Sequence, residues 1–256
     1  MLLTPPPRIL LRDRFKLFHL SLALFCLFLN GCDGSTKEEN VKSSPSQASD
    51  PAELIKSAVN KQETGAYDEA INILNQALEI NAQFAPANYQ KGLIYEEWDK
   101  REEALKEYKK AIEIDPAYDD ARLGLASVYG KSVLNDLAVE QLLKVAETRK
   151  DDPEIHFKIA LEYWYLQDIP KSANHYVRVI EIAPEHLQAH LNLISVYERM
   201  KNWGKAIEEI ETVKWLAGET QNQPAMSIAE RKLKFIKGRM NLTEEEMKRK
   251  TEPPFN

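Results

Sequence analysis

The sequence predicts an all-α chain folded as a solenoid of stacked helical hairpins, and three observations predict it. Only 9 Gly in 256 residues, with 43% hydrophobic and 29% charged residues, argue against a turn-rich β fold. Leu, Ala, Glu, Lys and Ile dominate, all but Ile good helix formers, and no strand-like alternation runs beyond a few residues. Finally, the chain echoes itself. "AIEIDP" at 111–116 is anticipated by "ALEINA" 34 residues earlier, at 77–82, and returns as "VIEIAP" at 179–184, two intervals of 34 later. A helix terminus rewritten at multiples of one interval marks a repeat array.

The first element, residues 1–31, reads as a signal peptide. Arg8, Arg12, Arg14 and Lys16 precede an apolar run from Leu17 to Leu29. Thirteen residues at about 1.5 Å rise cover roughly 20 Å, short of the ~30 Å hydrocarbon core, so a cleaved leader is expected rather than a spanning helix. The run ends in "LNGC", Leu29 to Cys32, which resembles the lipobox of bacterial lipoproteins. The resemblance implies cleavage before Cys32, lipid transfer to its thiol, and acylation of the new amino terminus by a fatty acid such as palmitate. Several acyl chains anchor stably where one is marginal. The alternative is an ordinary signal peptide in which Cys32 is incidental. Cys26 and Cys32 are the two cysteines, so no disulfide framework can exist beyond them.

Residues 32–50 carry one aliphatic residue and no aromatic, and read as a lipidated amino terminus followed by a flexible tether. Loss of residues 1–31 leaves 30 basic against 39 acidic residues, a net charge of −9. So acidic a chain is a poor nucleic-acid binder, and lipid rather than a basic face would hold it to a membrane. The expected location is the bacterial cell envelope, facing the periplasm. Asp33, directly after the lipid site, resembles an inner-membrane retention signal of enteric bacteria.

From Pro51 the chain divides without insertion into five blocks of 34: 51–84, 85–118, 119–152, 153–186 and 187–220. Position 20 of the blocks reads Ala70, Ala104, Ala138, Ser172 and Ala206, and position 8 reads Ala58, Gly92, Ala126, Ala160 and Ile194. Position 11 reads Lys61, Tyr95, Tyr129, Tyr163 and Tyr197. This period and pattern resemble the tetratricopeptide repeat (TPR), a helix–turn–helix unit. The resemblance implies a right-handed α-solenoid in which small residues at positions 8 and 20 let two helices approach closely. Large residues at positions 11 and 24 then fill the space between units, and proline at position 32 (Pro116, Pro184) stops the second helix. Residues 221–256 read as a capping helix and tail. Met226, Ala229, Leu233, Ile236 and Met240 form its apolar stripe, with Arg231, Lys232, Lys234, Lys237 and Arg239 opposite. "TEEE", Thr243 to Glu246, is a capping box.

Signals of chemistry are weak. "YGKS" at 129–132 lacks the earlier glycine of a phosphate-binding loop. His186 and His190 have the i, i+4 spacing of a zinc protease without its glutamate or a third ligand, and read as a surface pair. The pairs Glu96–Glu97 and Glu102–Glu103 read as solvated helix surface. We therefore expect no enzyme, no catalytic or metal-binding residues and no cofactor. The family resemblance implies instead an inner groove lined by the first helix of each unit. It would include Ile55, Tyr89, Leu93, Leu123, Phe157, Leu161, Trp164, Tyr165 and Leu191. An apolar groove with acidic edges suits a protein or peptide partner that is apolar with basic flanks. A homo-oligomer filling its own groove is the alternative.

Overall fold

The computed structural model describes residues 50–240. The signal peptide, Cys32, nearly all of the tether, and the tail with its capping box lie outside the described residues. Within them are eleven α-helices and no strand. Five helices start at the first position of a block: α1 (Pro51–Glu63), α3 (Ala85–Glu97), α5 (Asp119–Lys131), α7 (Pro153–Tyr165) and α9 (Leu187–Arg199). These are the A helices. Each is followed after three residues by a B helix: α2 (Tyr67–Ile80), α4 (Arg101–Ile114), α6 (Asn135–Thr148), α8 (Ile169–Ile182) and α10 (Trp203–Glu219). The last helix is α11 (Gln223–Met240).

Close packing follows from the small residues. Ala58, Ala70, Ala104, Ala138, Ala160, Ser172 and Ala206 are fully buried. Ser172 keeps its hydroxyl satisfied by donating to the Ala160 carbonyl at 2.8 Å, across the A–B interface of its own block. Between units sit Leu74, Tyr108, Leu142, Tyr176 and Ile210 of position 24, all buried. Burying one such side chain contributes on the order of 1.5–3 kcal/mol, which a lone hairpin could not collect. The second unit fits most tightly. The Tyr108 ring lies between Gly92 and Gly124, and a Cβ added to either glycine would stand 2.5 Å from a ring carbon.

Each helix packs against the next in sequence, and among same-type helices the close approaches are α1–α3 and α3–α5. The A helices therefore form the inner wall, and the B helices splay on the outer side.

Two details depart from expectation. Helix B ends at position 30 in the first four blocks, whether position 32 is Ala82, Pro116, Lys150 or Pro184. Proline is thus not what stops it: position 31 leaves helical geometry in all four, with φ between −110° and −138°. In the fifth block α10 runs on through Gly218, and α11 starts 36 rather than 34 residues after α9. On α11, Ala225, Ala229 and Ile236 are buried, and Met226, Leu233 and Met240 pack against the same cluster.

The A–B turn is uniform. Its middle residue, position 15, has positive φ in every block: Gly65 (74°), Asp99 (56°), Val133 (60°), Gln167 (63°) and Lys201 (56°). Only the first has the residue type that adopts this conformation without steric cost. Val133 is β-branched and 80% exposed, a strained residue that packing does not hold in place.

Candidate functional site on the inner wall

In the third, fourth and fifth units a clasp at one edge of the A helix fixes how the unit sits on the one before it. Position 4 binds backward to the carbonyl of position 32 and across to position 23 of its own B helix. In the third unit Arg122 donates to the Pro116 carbonyl (2.7 Å) and to Gln141 Oε1 (3.3 Å). In the fourth, His156 Nε2 meets the Lys150 carbonyl at 3.0 Å and its Nδ1 meets His175 Nδ1 at 3.2 Å. In the fifth, His190 Nε2 meets the Pro184 carbonyl at 2.9 Å and its Nδ1 meets Glu209 Oε2 at 2.5 Å. His186 and His190 are therefore not a surface pair. His186 caps α9 by accepting from the Ala189 amide, and His190 is buried. The clasps differ electrically. Burial, with the neighbouring His156, pushes His175 down to about 4. Burial also pulls on His190, but the Glu209 hydrogen bond and the Pro184 carbonyl outweigh it and raise its pKa.

The acidic edge expected along the inner wall is largely engaged by the protein itself. Glu96, expected in solvent, is half-buried and accepts from Tyr108 Oη (2.9 Å), Ser127 Oγ (2.8 Å) and Lys131 Nζ (2.7 Å). Burial works to raise its pKa, yet these three donors together lower it. Glu97 accepts from Gln62 and Tyr67, and Glu198 from Lys232. The basic flanks expected of a partner rested on free carboxylates here, and these carboxylates already have donors within the protein. A single sequence shows the carboxylates, but not the donors that the fold turns toward them from the same and neighbouring units.

Between α5 and α7 the inner wall holds a cleft of about 600 Å³. Leu123, Ser127, Gly130 and Lys131 form one side, and Lys158, Glu162 and Tyr165 the other, with Val133 and Asn135 at one end. Glu162 is held by Asn135 Nδ2 at 2.7 Å, and a Cβ on Gly130 would meet its carboxylate at 2.8 Å. Burial raises the Glu162 pKa against that hydrogen bond. Tyr165 is 58% exposed. A smaller cleft of about 190 Å³ follows between α7 and α9, lined by Leu161, Trp164, Tyr176, Asn192 and Ser195.

The structure sorts the nine groove residues into two groups. Leu123 and Tyr165 line the first cleft, and Leu161 and Trp164 the second. Ile55, Leu93 and Leu191 are partly buried against the core clusters. Tyr89 packs edge-on to Tyr118, with ring centres 5.2 Å apart, and Phe157 edge-on to Tyr176 at 5.5 Å. These two aromatics pack within their own units as much as they line the groove. Sequence reasoning missed Lys158, Glu162 and Asn135. The clasp could have been found, because its side-chain pairs recur at a spacing of 19 residues.

Family profiles described as "TPR repeat" and "Tetratricopeptide repeat" match residues 100–133, and 57–84 and 157–214, respectively. The chain contains tetratricopeptide repeats. Its helical array superposes on solved structures. One is YrrB, described as a TPR protein with an unusual peptide-binding site: 23% identity, 72% of this chain and 92% of that one covered, TM-score 0.60. Another is MamA from Desulfovibrio magneticus RS-1: 18% identity, 68% and 97% covered, TM-score 0.59. At these identities the likeness speaks for the fold. Anaphase-promoting complex subunit 3 of Schizosaccharomyces pombe is 23% identical over 156 residues, 61% of this chain. The match spans 24% of that protein's length.

Proposed function

We propose that the chain is a membrane-anchored scaffold of the bacterial cell envelope, which holds a segment of a partner protein along its inner wall. The observation that carries this reading is the α5–α7 cleft. It is large enough for several side chains, it combines apolar Leu123 and the exposed Tyr165 ring with the Lys158 ammonium, and the described residues leave it open. Aromatic anchors beside a charged group are what interface hot spots are made of. A peptide-binding description of YrrB, a protein of the same fold, adds support. The anchor rests on "LNGC" behind a basic and then apolar leader, with Cys32 as the residue that would carry lipid.

Two experiments test the two halves. A photo-crosslinking residue at 165, in native cells, is expected to give one discrete adduct. The same residue at 215, where Trp215 stands 65% exposed on the last B helix, is expected to give none. Equal crosslinking from both positions refutes the groove. Metabolic labelling with palmitate is expected to label the parent protein and not Cys32→Ser, and no labelling of the parent, or equal labelling of both, refutes the lipid anchor.

A further inference from the structure

A third cleft, about 550 Å³, lies where α11 follows α9 on the inner wall, with Trp164 at its edge. Its charge is unlike that of the rest of the molecule. The chain as a whole carries −6, yet α11 holds five cations and one carboxylate. Arg199, Lys201, Lys232 and Arg239 line this cleft against Glu198 alone. Lys232 Nζ reaches Glu198 Oε2 at 2.5 Å and neutralises it. Arg199, Lys201 and Arg239 have no carboxylate partner among the described residues. Arg199 instead donates to Gln167 and stands 5.6 Å from the Trp164 ring centre, while Arg239 stands 5.2 Å from that of Phe235. The second Glu198 oxygen is buried and accepts no hydrogen bond from the described residues.

We infer that the α9–α11 cleft binds an acidic segment of a protein partner. Its carboxylates meet Arg199, Lys201 and Arg239, and an apolar side chain of the segment seats among Trp164, Trp203 and Phe235. The inference rests on the reading of the inner wall as the partner-binding surface, and names the chemistry at its C-terminal end. Three cations without a carboxylate partner among the described residues, set along a concave wall, focus a positive potential that an anionic segment would satisfy. Arg199 and Arg239 already lie against aromatic rings, so these two side chains have less freedom to lose on binding. A flat anionic bilayer could not enter a cleft lined by residues of four helices. The cations come from positions 13 and 15 of the fifth unit and from the helix after it.

The test uses the full chain and three 12-residue peptides sharing the same Trp and Leu anchors, with every other position Glu, Gln or Lys. Binding is read by fluorescence anisotropy. At about 150 mM salt the Glu peptide is expected to bind roughly tenfold tighter than the Gln peptide, and the Lys peptide more weakly than either. The double variant Lys201→Gln/Arg239→Gln is expected to bring the Glu peptide within about twofold of the Gln peptide, as befits loss of rim charges. Lys144→Gln, on the outer helix α6, is expected to leave all three unchanged. Equal or reversed affinities, no binding of the Glu peptide, or a preference shown only for phosphatidylglycerol vesicles overturns the inference. A discrete adduct from position 165 would survive any of these, so failure here is separable from failure of the groove itself.

Discussion

Gly92→Ala is the sharpest test of how the second unit is packed. The added Cβ would sit 2.5, 2.6 and 3.0 Å from Cε1, Cδ1 and Cζ of Tyr108, where carbon atoms normally keep about 3.5–4.0 Å. The ring cannot retreat, because Gly124 contacts its other side, with an added Cβ there likewise 2.5 Å from the ring. Relief requires turning Tyr108, which breaks its hydrogen bond to Glu96 and leaves that half-buried carboxylate with one donor fewer. Overpacking costs about 1–3 kcal/mol, and the lost charge-assisted hydrogen bond about 1.5 more. Alanine's better helix propensity returns about 1 kcal/mol. The net expectation is a loss of about 2–3 kcal/mol, or roughly 4–12 °C in Tm for a domain of this size. Adding Tyr108→Leu should recover most of it, because Ala with Leu at positions 8 and 24 is the natural pair in the first unit (Ala58, Leu74) and the third (Ala126, Leu142). The assay is urea and thermal unfolding followed by circular dichroism at 222 nm, for both single variants and the double. Gly92→Ala within about 0.5 kcal/mol of the parent, or a double variant whose losses simply add, would refute the reasoning.

Val133→Gly is expected to stabilise the protein by about 1 kcal/mol, since it relieves a β-branched residue at φ 60° and removes a side chain that is 80% exposed. Asp99→Gly at the equivalent position should gain less, because Asp tolerates this conformation, and equal gains would contradict the strain argument. The histidine clasps predict opposite pH effects. His175, pushed down to about 4, favours the neutral ring in the folded state, so its contribution is present above pH 6.5 and is lost as pH falls toward 4. The group is partly solvated, so about 1–2 kcal/mol is expected there, and His175→Asn should flatten the acid limb of a stability–pH curve. His190 has a raised pKa, so its contribution is complete below pH 6.5 and is lost as pH rises through the folded value. In His190→Gln that alkaline loss should vanish while the acid limb persists.

Much of the fold was legible because the period is strict. Every A helix begins at the first residue of a 34-residue block, and the small residues at positions 8 and 20 are buried as their role requires. The exception at position 8, Ile194, is fully buried opposite a branched Ile210 rather than an aromatic ring, a local trade of volume that periodicity does not reveal. The site was less legible because it depends on distances between units. Leu123 and Tyr165 are readable as inner-wall positions, but the cleft between them also needs Gly130 to be without a side chain and Glu162 to be drawn aside by Asn135. The fate of Glu96 turns on Lys131, 35 residues away in the next unit. His190 looked exposed because its partner Glu209 lies 19 residues on, across a turn. Runs of one residue type showed the faces, and contacts between units decided their charge.

The most direct measurement is amide hydrogen exchange of the protein with and without the partner identified by crosslinking from position 165. The account predicts new protection concentrated on α5, α7 and α9, with α6 and α8 unchanged. Protection confined to the outer B helices, or spread evenly over all units, would contradict a partner seated on the inner wall.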